Sequence, residues 1–226
     1  MIIVFGGVKG GQGKSTLACN AAIYRSNQSR DVLLVDGDKQ GTTTDFTIMR
    51  KETLGGHTGY TAIQLKGTAL RDEVKQLSTK YDDVIIDVGG RDTTEQRSAL
   101  CVANVYAVPF LPSSFDLWTL QQVDELVSDV KAINQDLIAY CFLNKADSRG
   151  KENLASAEIA QEENLNLSYI DAPIILRKIF RDAGSVGLGI IEHKPRNSKA
   201  EAELLHLFKY LFDPKLDIKK KSKRGR

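Results

Sequence analysis

The sequence has little cysteine, proline or tryptophan, and it lacks any long hydrophobic run. Its 226 residues include three cysteines, five prolines and one tryptophan. Cys19, Cys101 and Cys141 are widely spaced and have neither metal-ligand nor redox spacing, so we expect them to be small buried hydrophobes. No apolar run approaches the roughly 18 residues of a membrane-spanning helix. Only a short apolar run, at residues 2–5, lies between the initial Met1 and the first glycines, which is too short for a signal-peptide core. We therefore expect a cytoplasmic protein.

The charge is nearly balanced overall but unevenly distributed. The net charge is +2, with 42% hydrophobic and 27% charged residues, as in ordinary soluble domains. Residues 213–226 hold seven basic and two acidic side chains, a charge of +5, which leaves −3 for residues 1–212. We expect one domain over residues 1–212, followed by a basic, disordered tail over residues 213–226. Such a tail indicates an anionic polymer or surface as partner, or else a solvated end that aids solubility.

Short β-branched runs alternate with longer helical patterns. Strands are predicted at residues 2–5, 32–36, 84–88, 105–109, 137–143 and 167–170, with a possible strand at 60–65. Helices are predicted at residues 14–27, 70–80, 93–103, 117–134 and 198–212, the last with Ser198 as N-cap. Near-continuous apolar strands separated by helices predict an α/β fold, a mostly parallel twisted sheet with helices on both faces.

A glycine-rich segment lies between the first predicted strand and the first predicted helix. Residues 9–16 read KGGQGKST. Backbone N–H groups of such a loop and the following helix N-terminus surround phosphate oxygens, and glycines let the backbone approach them. In this pattern Lys14 reaches the β- and γ-phosphates and the Ser15 hydroxyl binds Mg²⁺. The general pattern has glycine at position 8, whereas this chain has Val8 there and a second lysine, Lys9.

Several segments together resemble motifs of the ParA/MinD ATPases, in the same order along the chain. The similar segments are the phosphate loop at 9–16, VLLVDGDKQG at 32–41, VIID at 84–87, the proline-containing stretch at 105–113 and the helix at 198–212 with the preceding Pro195. The resemblance covers residues 1–212 and is closest to short ParA-type partition and positioning ATPases. It implies a P-loop NTPase fold of the SIMIBI type, with ATP and Mg²⁺ as cofactors.

The chain departs from the family pattern at three places. Lys39 replaces the usual proline of the D-x-D-P-Q-G segment, which alters the turn and keeps the carboxylates. Residues 88–92, VGGRD, replace the commoner C-P-P or T-P-P, and the glycines indicate a mobile switch. The chain is also short and lacks the N-terminal DNA-binding extension of larger plasmid ParA proteins, so we expect no autorepressor role.

The resemblance implies roles for individual residues in a slow, partner-stimulated ATP hydrolase. Nucleotide contacts are implied for Gly10, Gly11, Gln12, Gly13, Lys14, Ser15 and Thr16. Ser15, Asp36 and Asp87 are implied around Mg²⁺, and Asp38 is our candidate for orienting the attacking water. Lys9 is implied to reach across a homodimer interface to the partner's phosphates, so that two subunits sandwich two ATP molecules. Nucleotide state would then control dimerisation.

Two interpretations of the nucleotide base remain. Residues 144–147, NKAD, match the guanine-binding N-K-x-D motif of GTPases, which would make Asp147 a guanine receptor. In the ParA/MinD group a polar residue at this strand end contacts adenine instead. We favour adenine, with Asn144 as the contact, because the phosphate loop with its second lysine, Lys9, is a more specific signal than a four-residue match.

A dimer whose formation is controlled by nucleotide could act on DNA or on a membrane. Basic residues late in the chain, among them Arg177, Lys178, Arg181 and Lys199, favour nonspecific binding of nucleoid DNA in the ATP state. The alternative is a MinD-like membrane-associated ATPase, but the tail has too few apolar residues for stable membrane insertion. Metabolic relatives such as amidoligases are disfavoured, since there is no C-x-x-C and no substrate domain. The resemblance implies a cargo adaptor of the ParB or McdB type, and a plasmid, a chromosome or a protein organelle such as a carboxysome as cargo.

Overall fold

The computed structural model describes residues 1–162 and 166–214. The strands are β1 (Ile2–Phe5), β2 (Val32–Asp36), β3 (Thr61–Gln64), β4 (Asp83–Asp87), β5 (Val105–Phe110), β6 (Ile138–Ala146), β7 (Leu167–Tyr169) and β8 (Ile174–Ile175). The helices are α1 (Lys14–Ser26), α2 (Thr42–Thr53), α3 (Ala69–Leu77), α4 (Thr94–Leu100), α5 (Ser114–Lys131), α6 (Lys151–Glu162), α7 (Lys178–Gly184) and α8 (Ser198–Phe212).

The strands form a parallel sheet in the order β3-β2-β4-β1-β5-β6-β7, and the short β8 pairs with β6. The first strand therefore lies in the middle, paired with β4 on one side and β5 on the other. Because all pairings are parallel, the carboxyl ends of the strands meet at one edge of the sheet, where ligands of open α/β sheets bind. The parallel fold expected from the sequence is confirmed.

Each face of the sheet carries its own hydrophobic core, because side chains alternate along the strands. Val4 belongs to a cluster that includes buried side chains of α3, α4, α5 and α6. Ile3 and Phe5, on either side of it in β1, belong to a second cluster with α1, α7 and α8. Burial on both faces explains why the predicted strands are almost continuously apolar.

Most predicted strands lie within a residue or two of the observed ones, but the predicted cap of the last helix was wrong. Asn197 is the N-cap of α8, and Ser198 is the first helical residue. The Asn197 backbone is extended, with φ −118° and ψ 92°, and its side-chain Oδ1 accepts a hydrogen bond from Ala200 N at 3.1 Å. An extended backbone with a side-chain acceptor is what defines the cap position.

Three helices were not predicted: α2, α6 and α7. Helix α2 begins with three threonines, whose β-branched side chains lower helix propensity. Its start is fixed from outside, since Gly41 takes a left-handed conformation and Asp36 Oδ2 accepts from Thr44 N at 2.9 Å. Tertiary contacts therefore override local propensity there.

The predicted basic tail falls mostly outside the described residues, which end at Pro214. Among the described residues, the helices are too short or too polar for any of them to cross a bilayer.

The cap assignment predicts the effect of two neighbouring substitutions. We expect Asn197→Ala to lower the free energy of unfolding by about 1 kcal/mol, because it leaves the Ala200 N–H without its acceptor. Ser198→Ala is the matched control and should change it by less than about 0.5 kcal/mol. Urea denaturation of both variants measures this, and a larger loss in Ser198→Ala would contradict the assignment.

Candidate functional site

The sheet brings the phosphate loop and two carboxylates to the same edge. Asp36 and Asp87 are the last residues of the neighbouring strands β2 and β4, and they are register partners. Phe5, which ends β1, is the register partner of Asp87 on the other side. The phosphate loop starts four residues after Phe5. Residues that are far apart in the sequence are therefore adjacent, because the carboxyl ends of β1, β2 and β4 lie side by side at this edge.

A cleft of about 760 Å³ opens at this edge. This volume lies within the range of small-molecule sites. It is lined by Gly10, Gly11, Gly13, Lys14, Ser15, Thr16, Gly37, Asp38, Lys39, Gln40, Thr42, Gly89, Gly90, Arg91, Thr93, Glu95 and Lys145. Most of the predicted nucleotide-contacting residues are therefore in one place. Gln12 is the exception within the loop, because its side chain is buried and donates from Nε2 to Asp116 Oδ1 at 2.8 Å.

The phosphate loop is held by side chains near the carboxyl end of β6. Asn144 Nδ2 donates to Gln12 O at 2.7 Å, and Lys145 Nζ donates to Gly11 O at 2.6 Å. Gly13 has φ 88°, and a Cβ there would lie 2.4 Å from Asn144 Nδ2, so both its conformation and its space require glycine. The amide of Asn144 thus braces the loop, and its contact with adenine remains a prediction.

Lys14 is buried with its charge only partly compensated. Its Nζ donates to Lys9 O at 2.8 Å. Burial lowers the pKa of Lys14, while the nearby carboxylates of Asp87 and Asp38 act to raise it. A buried ammonium bound to a backbone carbonyl favours the arrival of an anion, and phosphate oxygens suit it.

Asp87 is the least satisfied carboxylate of the site. It is fully buried, and Oδ2 accepts from the Thr43 hydroxyl at 3.1 Å. Oδ1 lacks a geometrically good hydrogen bond within the described residues. Burial raises the pKa of Asp87 to about 7, against the lowering effect of the nearby Ser15 hydroxyl. The neighbouring Asp36 carboxylate raises it further.

Asp36 has a different environment from Asp87. Its Oδ1 accepts from Asp38 N at 3.1 Å, and its Oδ2 accepts from the Thr44 hydroxyl at 2.6 Å as well as from the Thr44 N–H. These bonds make Asp36 the organiser of the turn between β2 and α2. Its predicted place near the metal is retained as a proposal.

The donor set fits a magnesium ion that is completed by phosphates. Asp87 Oδ1 is buried without a well-formed hydrogen bond, and the Ser15 hydroxyl, which lines the cleft, lies close enough to lower the pKa of Asp87. Within the described residues there is no cluster of three or more His, Cys, Asp or Glu side chains suited to a metal. Mg²⁺ characteristically takes one or two carboxylates together with substrate phosphates and water, so this sparse set suits it.

Asp38 lines the cleft, as does Lys145. It is partly exposed, and its Oδ1 accepts from Gln40 N at 3.1 Å. A Cβ on Gly89 would lie 3.3 Å from the same oxygen, so the loop after β4 packs against this carboxylate. Its role in orienting water stays a prediction.

Lys9 does not line the cleft and is bound to Asp116, a residue to which the sequence assigned no role. Lys9 Nζ lies 2.7 Å from Asp116 Oδ2. Asp116 is buried in the first turn of α5, where it also accepts from Gln12 and from the Ser113 hydroxyl at 2.7 Å. Burial acts to raise the pKa of Asp116, but the hydrogen bonds from Lys9, Gln12, Ser113 and Leu111 N outweigh it and lower the pKa. The S-x-x-D pattern at 113–116 was the available signal, though it indicates only a helix start.

The four basic residues predicted to contact DNA differ in their availability. Arg177 is ion-paired with Glu203. Lys178 and Arg181 on α7 are 74% and 78% exposed, and both lie near Asp182, at 3.4 and 4.0 Å. Lys199, at the start of α8, is also exposed. The structure therefore leaves three of these side chains open to solvent.

Comparison with known proteins places this site in a family. Residues 3–191 match the model of the CobQ/CobB/MinD/ParA nucleotide binding domain. The chain belongs to this family. The match covers most of the chain and every residue that lines the cleft, so the cleft is the candidate nucleotide-binding site of this domain.

The individual relatives have low sequence identity to this chain. The chain is 24% identical over 201 residues to the Maintenance of carboxysome distribution protein A of Halothiobacillus neapolitanus, covering 87% of this chain and 89% of that protein. The fold is similar to that of apo McdA from Cyanothece, with a TM-score of 0.75, 18% identity and coverage of 93% and 98%. It is also similar to a plasmid partition protein of Borrelia burgdorferi bound to AMPPNP, with a TM-score of 0.71, 18% identity and coverage of 92% and 98%.

The environment of Asp87 predicts the stability of the metal-free protein. Its folded pKa is about 7, well above the usual value of 3.8. Stability is therefore lost as pH rises from about 4 to about 7, because the unfolded chain gives up the proton first. Asp87→Asn removes the buried charge, so we expect the variant to be more stable than wild type at pH 8 in EDTA, by roughly 2–4 kcal/mol.

The same comparison at pH 4 serves as the internal check, because the difference between variant and wild type should shrink there. Asp136→Asn, at an exposed position, is the matched control and should match wild type at both pH values. Chemical denaturation measures all three proteins. A destabilised Asp87→Asn at pH 8 would rule out this explanation of the site.

Proposed function

We propose that this chain is a ParA-type ATPase that dimerises on binding ATP and Mg²⁺ and positions or segregates a cargo. The ATP-bound dimer binds nucleoid DNA without sequence preference, and an adaptor on the cargo stimulates slow hydrolysis, which releases it. The ATPase domain comprises residues 1–212, with residues 213–226 as a basic tail. The protein acts in the cytoplasm and is associated with the nucleoid in its ATP state.

The observation that carries this proposal is the position of Lys9. Its Nζ is bound to Asp116 outside the cleft, while Lys14 is the lysine that lines the cleft. Lys9 is therefore separated from the phosphate site of its own chain, although it belongs to the phosphate loop. Its side chain is 39% exposed, which supports a role at the phosphates of a second copy.

The surface beside Lys9 also supports pairing of two copies. Phe115 and Trp118 on α5 are 68% and 63% exposed, with ring centroids 5.3 Å apart. They lie either side of Asp116 in the sequence, next to the residue that holds Lys9. Exposed aromatic side chains of this size are typical of contact surfaces.

The residues of the cleft have separate tasks in hydrolysis. The loop N–H groups and Lys14 hold the phosphates, and Ser15 and Asp87, with Asp36 close by, would hold Mg²⁺. The ion would neutralise the phosphate charge that is left uncompensated by Lys14 and by the Lys9 of the second copy. Asp38 orients the attacking water, because it is the partly exposed carboxylate that lines the cleft. In the absence of a stimulating partner, this arrangement positions ATP and water but leaves the site open to solvent, so hydrolysis is slow.

Three exposed cations support DNA as the surface on which the switch acts. Lys178, Arg181 and Lys199 are available to phosphates, and no base-reading element is needed for nonspecific binding. Arg177 is left out of this surface because its side chain is only 19% exposed and is ion-paired with Glu203. The names of the relatives suggest a carboxysome or a plasmid as cargo, and the resemblance to the ParA ATPases adds a chromosome. A ParB-like or McdB-like adaptor would link the ATPase to any of them.

The trans role of Lys9 predicts a selective defect. We expect Lys9→Ala to abolish dimerisation with AMPPNP and Mg²⁺, because the partner's phosphates lose a cation. The Kd for ADP should change by less than about threefold, since Lys9 does not line its own cleft. Light scattering after gel filtration measures the mass of the particle. Lys80→Ala, another exposed lysine, is the control, and normal dimerisation of Lys9→Ala would refute the trans role.

The DNA surface predicts a nucleotide-dependent and salt-dependent affinity. We expect binding of the full-length protein to random-sequence DNA with ATP and much weaker binding with ADP. The triple change Lys178→Ala, Arg181→Ala, Lys199→Ala should lower the slope of log K against log salt by up to about 3, because each removed cation neutralises one DNA phosphate fewer.

The matched control removes the same charges elsewhere, with Arg71→Ala, Lys75→Ala and Lys80→Ala on and beside α3, and should keep the wild-type slope. A chain truncated after Phe212 tests the tail separately. Equal DNA binding with ATP and ADP would contradict the switch. Binding to lipid vesicles instead of DNA would favour the membrane-associated alternative.

A further inference from the structure

The loop after β4, residues 88–92, is packed directly onto the phosphate loop. A Cβ built on Gly90 would lie 2.5 Å from Lys9 O and 2.6 Å from Gly10 N. Both neighbours are backbone atoms, which have little freedom to withdraw. Gly90 is therefore required by space alone, and the two loops meet backbone to backbone at the Lys9–Gly10 peptide.

This packing places the next residue, Arg91, in the same cleft as the glycines of the phosphate loop. Arg91 lines the cleft together with Gly10, Gly11 and Asp38. The bracing residue Lys145 holds Gly11 from the other side of the loop. Arg91 also lines a groove beside α5 that contains Glu125 and Asp129. The guanidinium thus stands between the site of the phosphates and an acidic surface.

Arg91 lacks a partner within residues 1–162 and 166–214, where it forms neither an ion pair nor a hydrogen bond. The neighbouring carboxylate is already occupied, since Asp92 is bound by Arg97 at 2.7 Å, and Arg97 also reaches Asp129 at 3.3 Å. An arginine that is exposed, unpaired and next to a phosphate cradle is free to bind an anion.

We infer that Arg91 binds the terminal phosphate of the nucleoside triphosphate held by its own subunit. This inference rests on the proposed function for the identity of the ligand. A guanidinium makes two parallel hydrogen bonds to phosphate oxygens, which an ammonium does not. The loop amides hold phosphates that ATP and ADP share, and Lys14 reaches the β- and γ-phosphates. Arg91, on the side of Asp38, contacts the terminal phosphate alone. Arg91 therefore discriminates between triphosphate and diphosphate within one chain, separately from Lys9, which acts on a second copy.

The test compares the affinities of the full-length protein for AMPPNP and ADP in the presence of Mg²⁺, by calorimetry. We expect Arg91→Ala to raise the Kd for AMPPNP about tenfold or more, about 1.4 kcal/mol, and to leave the Kd for ADP within about twofold. Arg91→Lys should give an intermediate Kd for AMPPNP, because it keeps the charge and loses the bidentate geometry. Arg71→Ala, an exposed arginine outside the cleft, is the matched control and should keep both wild-type values.

Repeating the comparison in a Lys9→Ala background separates the two subunits. If Arg91 serves its own subunit, its tenfold effect persists when pairing is abolished, and loss of the effect there would overturn the assignment. The inference would also be overturned if Arg91→Ala left the ratio of the AMPPNP Kd to the ADP Kd unchanged, whether neither Kd changed or both rose equally. The proposed ATPase would remain intact in either case. A wild-type chain that binds neither nucleotide would overturn the proposed function and this inference with it.

Discussion

The phosphate loop must keep its N–H groups free for a ligand, so it has to be held in place by other parts of the chain. Its carbonyls are bound from outside, Gln12 O by Asn144 and Gly11 O by Lys145. Its side chains are bound by Asp116 on α5, which accepts from both Lys9 and Gln12. Because α5 and β6 supply these hydrogen bonds, the order of strands around β1 determines the shape of the loop. The remaining elements of the site are arranged around this constraint.

Two buried charged groups at this edge of the sheet, Lys14 and Asp87, are poorly compensated in the ligand-free chain. Their environment therefore favours the binding of ligands of opposite charge. Lys14 is buried with a backbone carbonyl as its direct partner, and Asp87 is buried with one weakly satisfied oxygen. Each of these groups loses hydration without gaining full compensation. Phosphate and a divalent cation would supply the missing partners. Ligand binding would therefore stabilise Lys14 at the start of α1 and Asp87 at the end of β4 together. A site that is electrostatically incomplete is suited to report the state of its ligand.

The sequence was sufficient for the seven main strands and for the position of the glycine-rich loop between β1 and α1, but it missed the short β8 and the features that long-range contacts decide. Strands such as Ile2–Phe5 and Val32–Asp36 were located to the residue, because burial on both faces leaves a continuous apolar run. Helix α2 was missed because its start depends on Asp36, eight residues before Thr44. Asp116 was missed because an aspartate in a first helical turn is ordinary, and only the fold brings it to Lys9. The close approach of Gly90 to the Lys9–Gly10 peptide likewise has no signature along the chain.

The way Asp116 holds Lys9 makes release easy. Removing one partner from a buried carboxylate is ordinarily unfavourable, because it strands an uncompensated charge. Asp116 also accepts hydrogen bonds from Gln12, from the Ser113 hydroxyl and, more weakly, from Leu111 N at 3.4 Å. When Lys9 leaves, these donors continue to stabilise the anion, and the lysine, already 39% exposed, is readily hydrated. The resting ion pair thus positions Lys9 without making Asp116 depend on it alone. In the proposed dimer, a second copy of the chain that carries a nucleotide would compete with Asp116 for the lysine.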